Sequence, residues 1–127
     1  MAEQKLLDAV YVNTRSGKYP VIIGEGLDFG KLALNVKNPC RVVVVSDDNV
    51  FPLYGDAVIK NFIDNGYKVS GYIVTNGEGS KNLDVASRLL RFLVDQSITR
   101  QDILVALGGG VVGDIAGFVS AVYLRGV

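Results

Sequence analysis

Arg41-Val42-Val43-Val44-Val45-Ser46-Asp47-Asp48-Asn49 decides the fold. Four successive valines leave no polar face, so this is not the alternating pattern of a half-solvated strand. A β-branched run without alternation suits a parallel strand covered on both sides. The polar residues that follow form a loop at that strand's carboxyl end. Leu53 to Asn65 then reads as a helix, with Leu53, Ala57, Phe62 and Ile63 as its apolar positions. Gly66 sits where a left-handed cap is expected.

The pattern repeats downstream. Lys68 to Val74 reads as a strand, and Thr75-Asn76-Gly77-Glu78-Gly79-Ser80 as a loop of turn formers. Leu83, Ala86, Leu89, Leu90 and Leu93 mark one face of a helix ending near Gln96. Ile103 to Leu107 is a further buried strand, followed by Gly108-Gly109-Gly110 and an apolar helix from Val111 to Tyr123. Alternating strands and helices predict an α/β fold with a Rossmann-like, mostly parallel sheet and right-handed crossovers.

Upstream, Asp8 to Thr14 and Pro20 to Ile23 flank the turn Arg15-Ser16-Gly17-Lys18, which predicts an N-terminal β-hairpin. Leu27 to Leu34 reads as a short helix with Asp28 near its start. The chain stops at Arg125-Gly126-Val127, where an α/β sheet usually continues into another strand. Residues 1–127 are therefore expected to be one incomplete N-terminal domain with an open sheet edge.

Composition narrows the function. The 127 residues are 49% hydrophobic and 20% charged, a globular balance. Thirteen basic and 13 acidic residues cancel, so no basic excess exists to neutralise a nucleic-acid backbone. A single cysteine, Cys40, cannot form an internal disulfide, which fits a reducing compartment. The start carries Glu3, Lys5 and Asp8 and does not read as a signal peptide. No apolar run approaches the ~20 residues that span a bilayer. A cytoplasmic protein without nucleic-acid or membrane partners is the expectation. The chain also has no histidine. The side chain used most often for proton transfer near neutral pH, and for binding zinc, is missing from these residues.

Open parallel sheets bind ligands at the carboxyl ends of their strands. Three loops belong to that edge: Asp47 to Asn49, Asn76 to Lys81, and Gly108 to Asp114. The three glycines would let backbone approach an anion at a helix start, where unpaired N–H groups carry partial positive charge. The spacing is neither G-x-G-x-x-G nor a P-loop. A tight turn with close helix–strand packing explains the glycines equally well. Asp114 is the one charged residue from Ile103 through Leu124 and needs a partner. It reads either as a first-turn carboxylate or as an acceptor for a ribose or amide. Asp47 and Asn49 read as ribose contacts, or structurally as an Asx-turn or a helix N-cap. Glu78 and Lys81 read as nucleotide contacts or as a surface charge pair. Arg125 reads as an anion clamp or as a residue at a helix end.

Together these residues resemble a known family. Ala106-Leu107-Gly108-Gly109-Gly110-Val111-Val112-Gly113-Asp114-Ile115-Ala116-Gly117-Phe118, then Arg125-Gly126-Val127, is similar to the signature of 3-dehydroquinate synthases. Val45-Ser46-Asp47-Asp48-Asn49-Val50 and Gly77-Glu78-Gly79-Ser80-Lys81 resemble two further family segments in the same order. The resemblance implies a homodimeric shikimate-route lyase that converts the phosphorylated keto acid DAHP to 3-dehydroquinate. It implies NAD as a transiently reduced cofactor and a divalent metal, zinc or cobalt. By the same resemblance, Asp47 and Asn49 contact the nucleoside part of NAD, and Glu78 and Lys81 belong to a second contacting loop. Gly109, Gly110 and Val111 line the diphosphate and its neighbourhood, Val112, Gly113 and Asp114 belong to the same cofactor-binding segment, and Arg125 touches substrate. No catalytic or metal-ligand position of the family falls in this chain, so an isolated chain is expected to be inactive. A related sugar-phosphate cyclase or dehydrogenase, and a non-catalytic nucleotide-binding module, are the alternative readings.

Overall fold

The computed structural model describes residues 5–33 and 40–127. The expected helix end at Leu34 and the first four residues lie outside this range.

The valine run forms the centre of the molecule. Strand β3, Arg41–Asp47, pairs in parallel with β4, Lys68–Val74, on one side and with β5, Ile103–Leu107, on the other. The order is therefore β4-β3-β5. Successive side chains of a strand point to opposite faces, and both faces of β3 are covered. Val42 and Val44 pack with Val58, Phe62 and Tyr67, on the side of helix α2, Asp56–Asp64. Val43 and Val45 pack with Ala86, Leu89 and Leu93 of α3, Leu83–Asp95. Val112, Ile115, Ala116 and Val119 of α4, Gly110–Val122, complete that second layer. This is why all four valines are fully buried.

Upstream, β1, Lys5–Thr14, and β2, Gly17–Glu25, form an antiparallel two-stranded hairpin. A short helix α1, Phe29–Leu32, follows, with the Asp28 carboxylate capping the Lys31 N–H. The same carboxylate accepts from Asn61 and Asn65, which ties α1 to α2. The expected α/β architecture with its leading hairpin is what the chain adopts. Strand β5 is only half-buried rather than fully buried, because it lies at one side of the sheet.

One helix face differs from expectation. Leu53 is 71% exposed and Ile63 53% exposed, and Ala57 is exposed too. The buried positions are Val58 and Phe62, four residues apart on one face. A π-helical turn at Phe51–Gly55 precedes α2. Its wider winding displaces Leu53 from the phase of the helix that follows. Gly66, at φ 92°, is the left-handed residue expected after the helix. Phe62→Ala should accordingly cost about 3–5 kcal/mol. Ile63→Ala should stay within about 0.5 kcal/mol. Urea unfolding of the two variants checks this phase.

Candidate functional site

The topology indicates where a ligand belongs. β3 and β5 are neighbours, yet the helix after β3 lies on one face of the sheet and the helix after β5 on the other. The crevice outside the carboxyl ends of such a pair is the usual ligand position in an open α/β sheet. Buried Ser46 donates its hydroxyl to the Leu107 carbonyl at 2.7 Å and pins the two strand ends together there.

The glycine run opens onto this edge, and its glycines differ. A Cβ on Gly108 would lie 2.9 Å from Cγ2 of buried Val112, so Gly108 serves the close helix–strand packing. Cβ atoms on Gly109, Gly110 or Gly113 would meet nothing within 4 Å. All three have negative φ, so neither packing nor backbone conformation within the described residues requires glycine. Helices α1 and α3 are capped by Asp28 and Asn82. At the start of α4, Gly109 provides no capping side chain. The first N–H groups of α4 thus face open space with the positive end of the helix dipole behind them. Val111 and Val112 turn their side chains toward the core, Val112 completely, which leaves their backbone for the edge.

Asp114 has its partner: Lys81 Nζ lies 2.5 Å from Asp114 Oδ2. The hydrogen bond and charge of Asp114, and then the charge of Glu78, raise the Lys81 ammonium above its ordinary range. A raised lysine keeps its charge throughout neutral pH. Its stabilising interaction is fully present below the ordinary lysine value of 10.5 and is lost only as pH rises through the higher folded value. Both side chains are about half exposed, which leaves them free to meet a ligand. Beside them, Lys81, Asn82, Leu83, Ala86, Asp114, Ile115 and Phe118 line a hollow of about 300 Å³.

Asp47 ends β3 and accepts from the N–H groups of Asn49 at 2.9 Å and Val50 at 2.8 Å, an Asx-turn. One of its two readings is therefore realised, and its second oxygen is not engaged by these bonds. Glu78 begins a 3₁₀ turn, Glu78–Ser80, entered through Gly77 at φ 94°. Arg125 stands apart. Helix α4 has 13 residues, about 20 Å of rise, between the glycine run and the turn that carries Arg125. Leu124 and Arg125 both adopt positive φ, 48° and 66°. The structure thus brings Glu78, Lys81, Asp114 and the glycines to one edge, places Asp47 and Asn49 at the end of the central strand, and leaves Arg125 at the far end of α4.

Sequence reading missed Asp48. Its Oδ1 accepts from the Asn76 backbone N–H at 3.0 Å and from Asn76 Nδ2 at 2.5 Å. The side-chain amide, then the backbone N–H, hold the Asp48 carboxyl below the usual carboxylate range. Among the described residues no three His, Cys, Asp or Glu side chains gather as a metal centre would require.

Residues 71–127 match the family model described as 3-dehydroquinate synthase N-terminal. A 3-dehydroquinate synthase of Caldanaerobacter subterraneus subsp. tengcongensis is 38% identical over 123 residues, 95% of this chain and 35% of that protein. One from Enterococcus faecalis is 49% identical over 89 residues, 70% of this chain and 25% of that protein. The chain spans about a third of the length of curated relatives it matches. Among solved structures, 2-deoxy-scyllo-inosose synthase complexed with carbaglucose-6-phosphate, NAD+ and Co2+ superposes with a TM-score of 0.84. It is 19% identical, covering 94% of this chain and 33% of that one, and so shows the fold.

Proposed function

We propose, from the premise that this chain belongs to the 3-dehydroquinate synthase family, that it supplies the NAD-binding half-site of an enzyme converting DAHP to 3-dehydroquinate with loss of phosphate. The observation that carries this reading is the bare start of α4. Glycines there face open space, no side chain caps the helix, and a lysine is held alongside. That arrangement fits a dinucleotide diphosphate.

NAD would supply a reversible hydride acceptor. The residues of this chain bind and orient it. Backbone N–H groups at Gly109, Gly110 and Val111 receive diphosphate oxygens, and the absence of a Cβ at Gly109, Gly110 and Gly113 lets the anion come close. Lys81 adds a full positive charge at the same edge, and Asp114 orients it through Oδ2 while leaving Oδ1 to accept from the cofactor. Asp47, fixed by its turn, and Asn49 take the ribose hydroxyls at the end of β3, and Glu78 lies on the opposite loop. Arg125 contacts substrate at the far end of α4. Residues 1–127 form the N-terminal NAD-binding domain. The zinc or cobalt ligands and the proton-transfer groups lie outside this chain, which has no histidine. The whole enzyme acts as a cytoplasmic homodimer, a carbon–oxygen lyase of aromatic amino-acid biosynthesis.

Two experiments test this. In the chain itself, Lys81→Ala should weaken NAD+ binding by about tenfold, and Asp114→Asn should weaken it less. Unchanged binding in both variants contradicts the half-site. In a chimera, this chain replaces the corresponding part of the Enterococcus faecalis relative, and phosphate release from DAHP is measured. Turnover to 3-dehydroquinate supports the reading. A folded chimera that instead makes a cyclitol from a sugar phosphate assigns the chain to a related cyclase.

A further inference from the structure

We infer that Asp48 is a positioning residue for the cofactor loop, which it holds through Asn76; this rests on the NAD-binding reading above. Strands β3 and β4 stay in register to their last pair, Asp47 with Val74. One more ladder-like bond follows, from the Asp48 N–H to the Val74 carbonyl at 3.2 Å. Beyond it the two loops would diverge. Instead the Asp48 carboxylate takes both donors of Asn76, backbone and side chain.

What this bond holds is the start of the segment that ends in Lys81. After Asn76, Gly77 turns the chain at positive φ into the 3₁₀ turn of Glu78–Ser80. The Ser80 hydroxyl reaches back to the Thr75 carbonyl at 2.5 Å, so this turn is internally closed. At its far end Lys81 crosses to Asp114 on α4. The segment therefore has two anchors, Asp48 upstream and Asp114 downstream. Asp114 faces the ligand edge and shares its carboxylate between Lys81 and the nucleotide. Asp48 is the anchor not shared with the ligand. Removing it frees the upstream side of the turn, which stays joined to α3 through Asn82, and Lys81 then samples a wider range of positions beside the start of α4. Ordering that segment on binding would reduce affinity.

The test uses the 127-residue chain with NAD+ as the probe and reads two quantities by NMR: amide hydrogen exchange from Asn76 to Lys81, and NAD+ affinity from a titration. Asp48→Ala should speed exchange across the segment and weaken NAD+ binding by roughly five- to tenfold. Asp48→Asn, which keeps an acceptor oxygen without the charge, should restore most of both. Asn76→Ala should match Asp48→Ala, and the double variant should add little to either. Faster exchange with unchanged NAD+ affinity overturns the positioning role and leaves a structural clasp. Unchanged exchange in Asp48→Ala overturns the clasp itself. Tighter NAD+ binding in both Asp48 variants overturns the inference by showing that the carboxylate acts mainly by repelling the diphosphate. If the unsubstituted chain binds no NAD+ while exchange responds to Asp48→Ala, the cofactor reading fails and the positioning role fails with it.

Discussion

Alanine at Gly110 or Gly113 is expected to weaken NAD+ binding about tenfold or more while leaving the fold as stable as before or more so. The two effects separate because the space beside these residues is empty: an added Cβ meets no atom within 4 Å. Gly113 lies inside α4 on an exposed face, so alanine there should stabilise the chain by about 0.5–1 kcal/mol. Gly108→Ala should do the reverse. Its Cβ would press on Val112, which has no exposure and cannot retreat without disturbing the core shared with Val43 and Leu89. A cost of about 1–3 kcal/mol follows. Urea unfolding and NAD+ titration of the same three samples check the contrast. Destabilisation by Gly113→Ala, or full NAD+ binding in Gly110→Ala, contradicts the assignment of open glycines to a ligand.

A large effect on stability is also expected in α3. Leu89 and Leu93 are fully buried against β3 and α4. Leu93→Ala removes buried contacts with β3 and α4 and leaves a cavity, at a cost of about 2–5 kcal/mol. Total stabilities of ~5–15 kcal/mol are usual for domains, so this single change should leave a substantial unfolded fraction on modest heating. Leu83 belongs to the same helix and is 74% exposed. Leu83→Ala should stay within about 0.5 kcal/mol. Thermal melts of the two variants followed by circular dichroism measure the difference. Equal melting temperatures would mean that α3 does not pack with the phase described.

The strands were the most legible part of the sequence. Lys68–Val74 and Ile103–Leu107 have the bounds that their composition and flanking turns indicate. The central strand runs two residues further than the valines, through Ser46 and Asp47, because backbone pairing with Ile73 and Val74 continues regardless of side-chain polarity. Helix α2 was legible as a helix but not in its phase. Apolar residues surround it, and the π-turn that resets its winding has no signal as plain as a glycine or a cap. At the site, the residue types were legible and the pairings were not. Asp114 visibly needed a partner, but Lys81 lies 33 positions away in sequence (114 less 81). Asp48 and Asn76 come together only because β3 and β4 are adjacent and in register. Whether a glycine serves packing or a ligand depends on the space beside it. That space separates Gly108 from Gly109 and Gly110, which are alike as residues.

The most direct test of the central claim is a titration of the isotopically labelled chain with NAD+, followed through its backbone amide signals. The half-site predicts saturable shifts at Gly109 to Asp114, at Glu78 to Lys81, and at Asp47 to Val50. It predicts quiet signals at the opposite end of the sheet, around Cys40, Gly66 and Thr99. Shifts centred instead on the groove lined by Leu27, Tyr54 and Asn61, or no saturable shift at any amide, would contradict it.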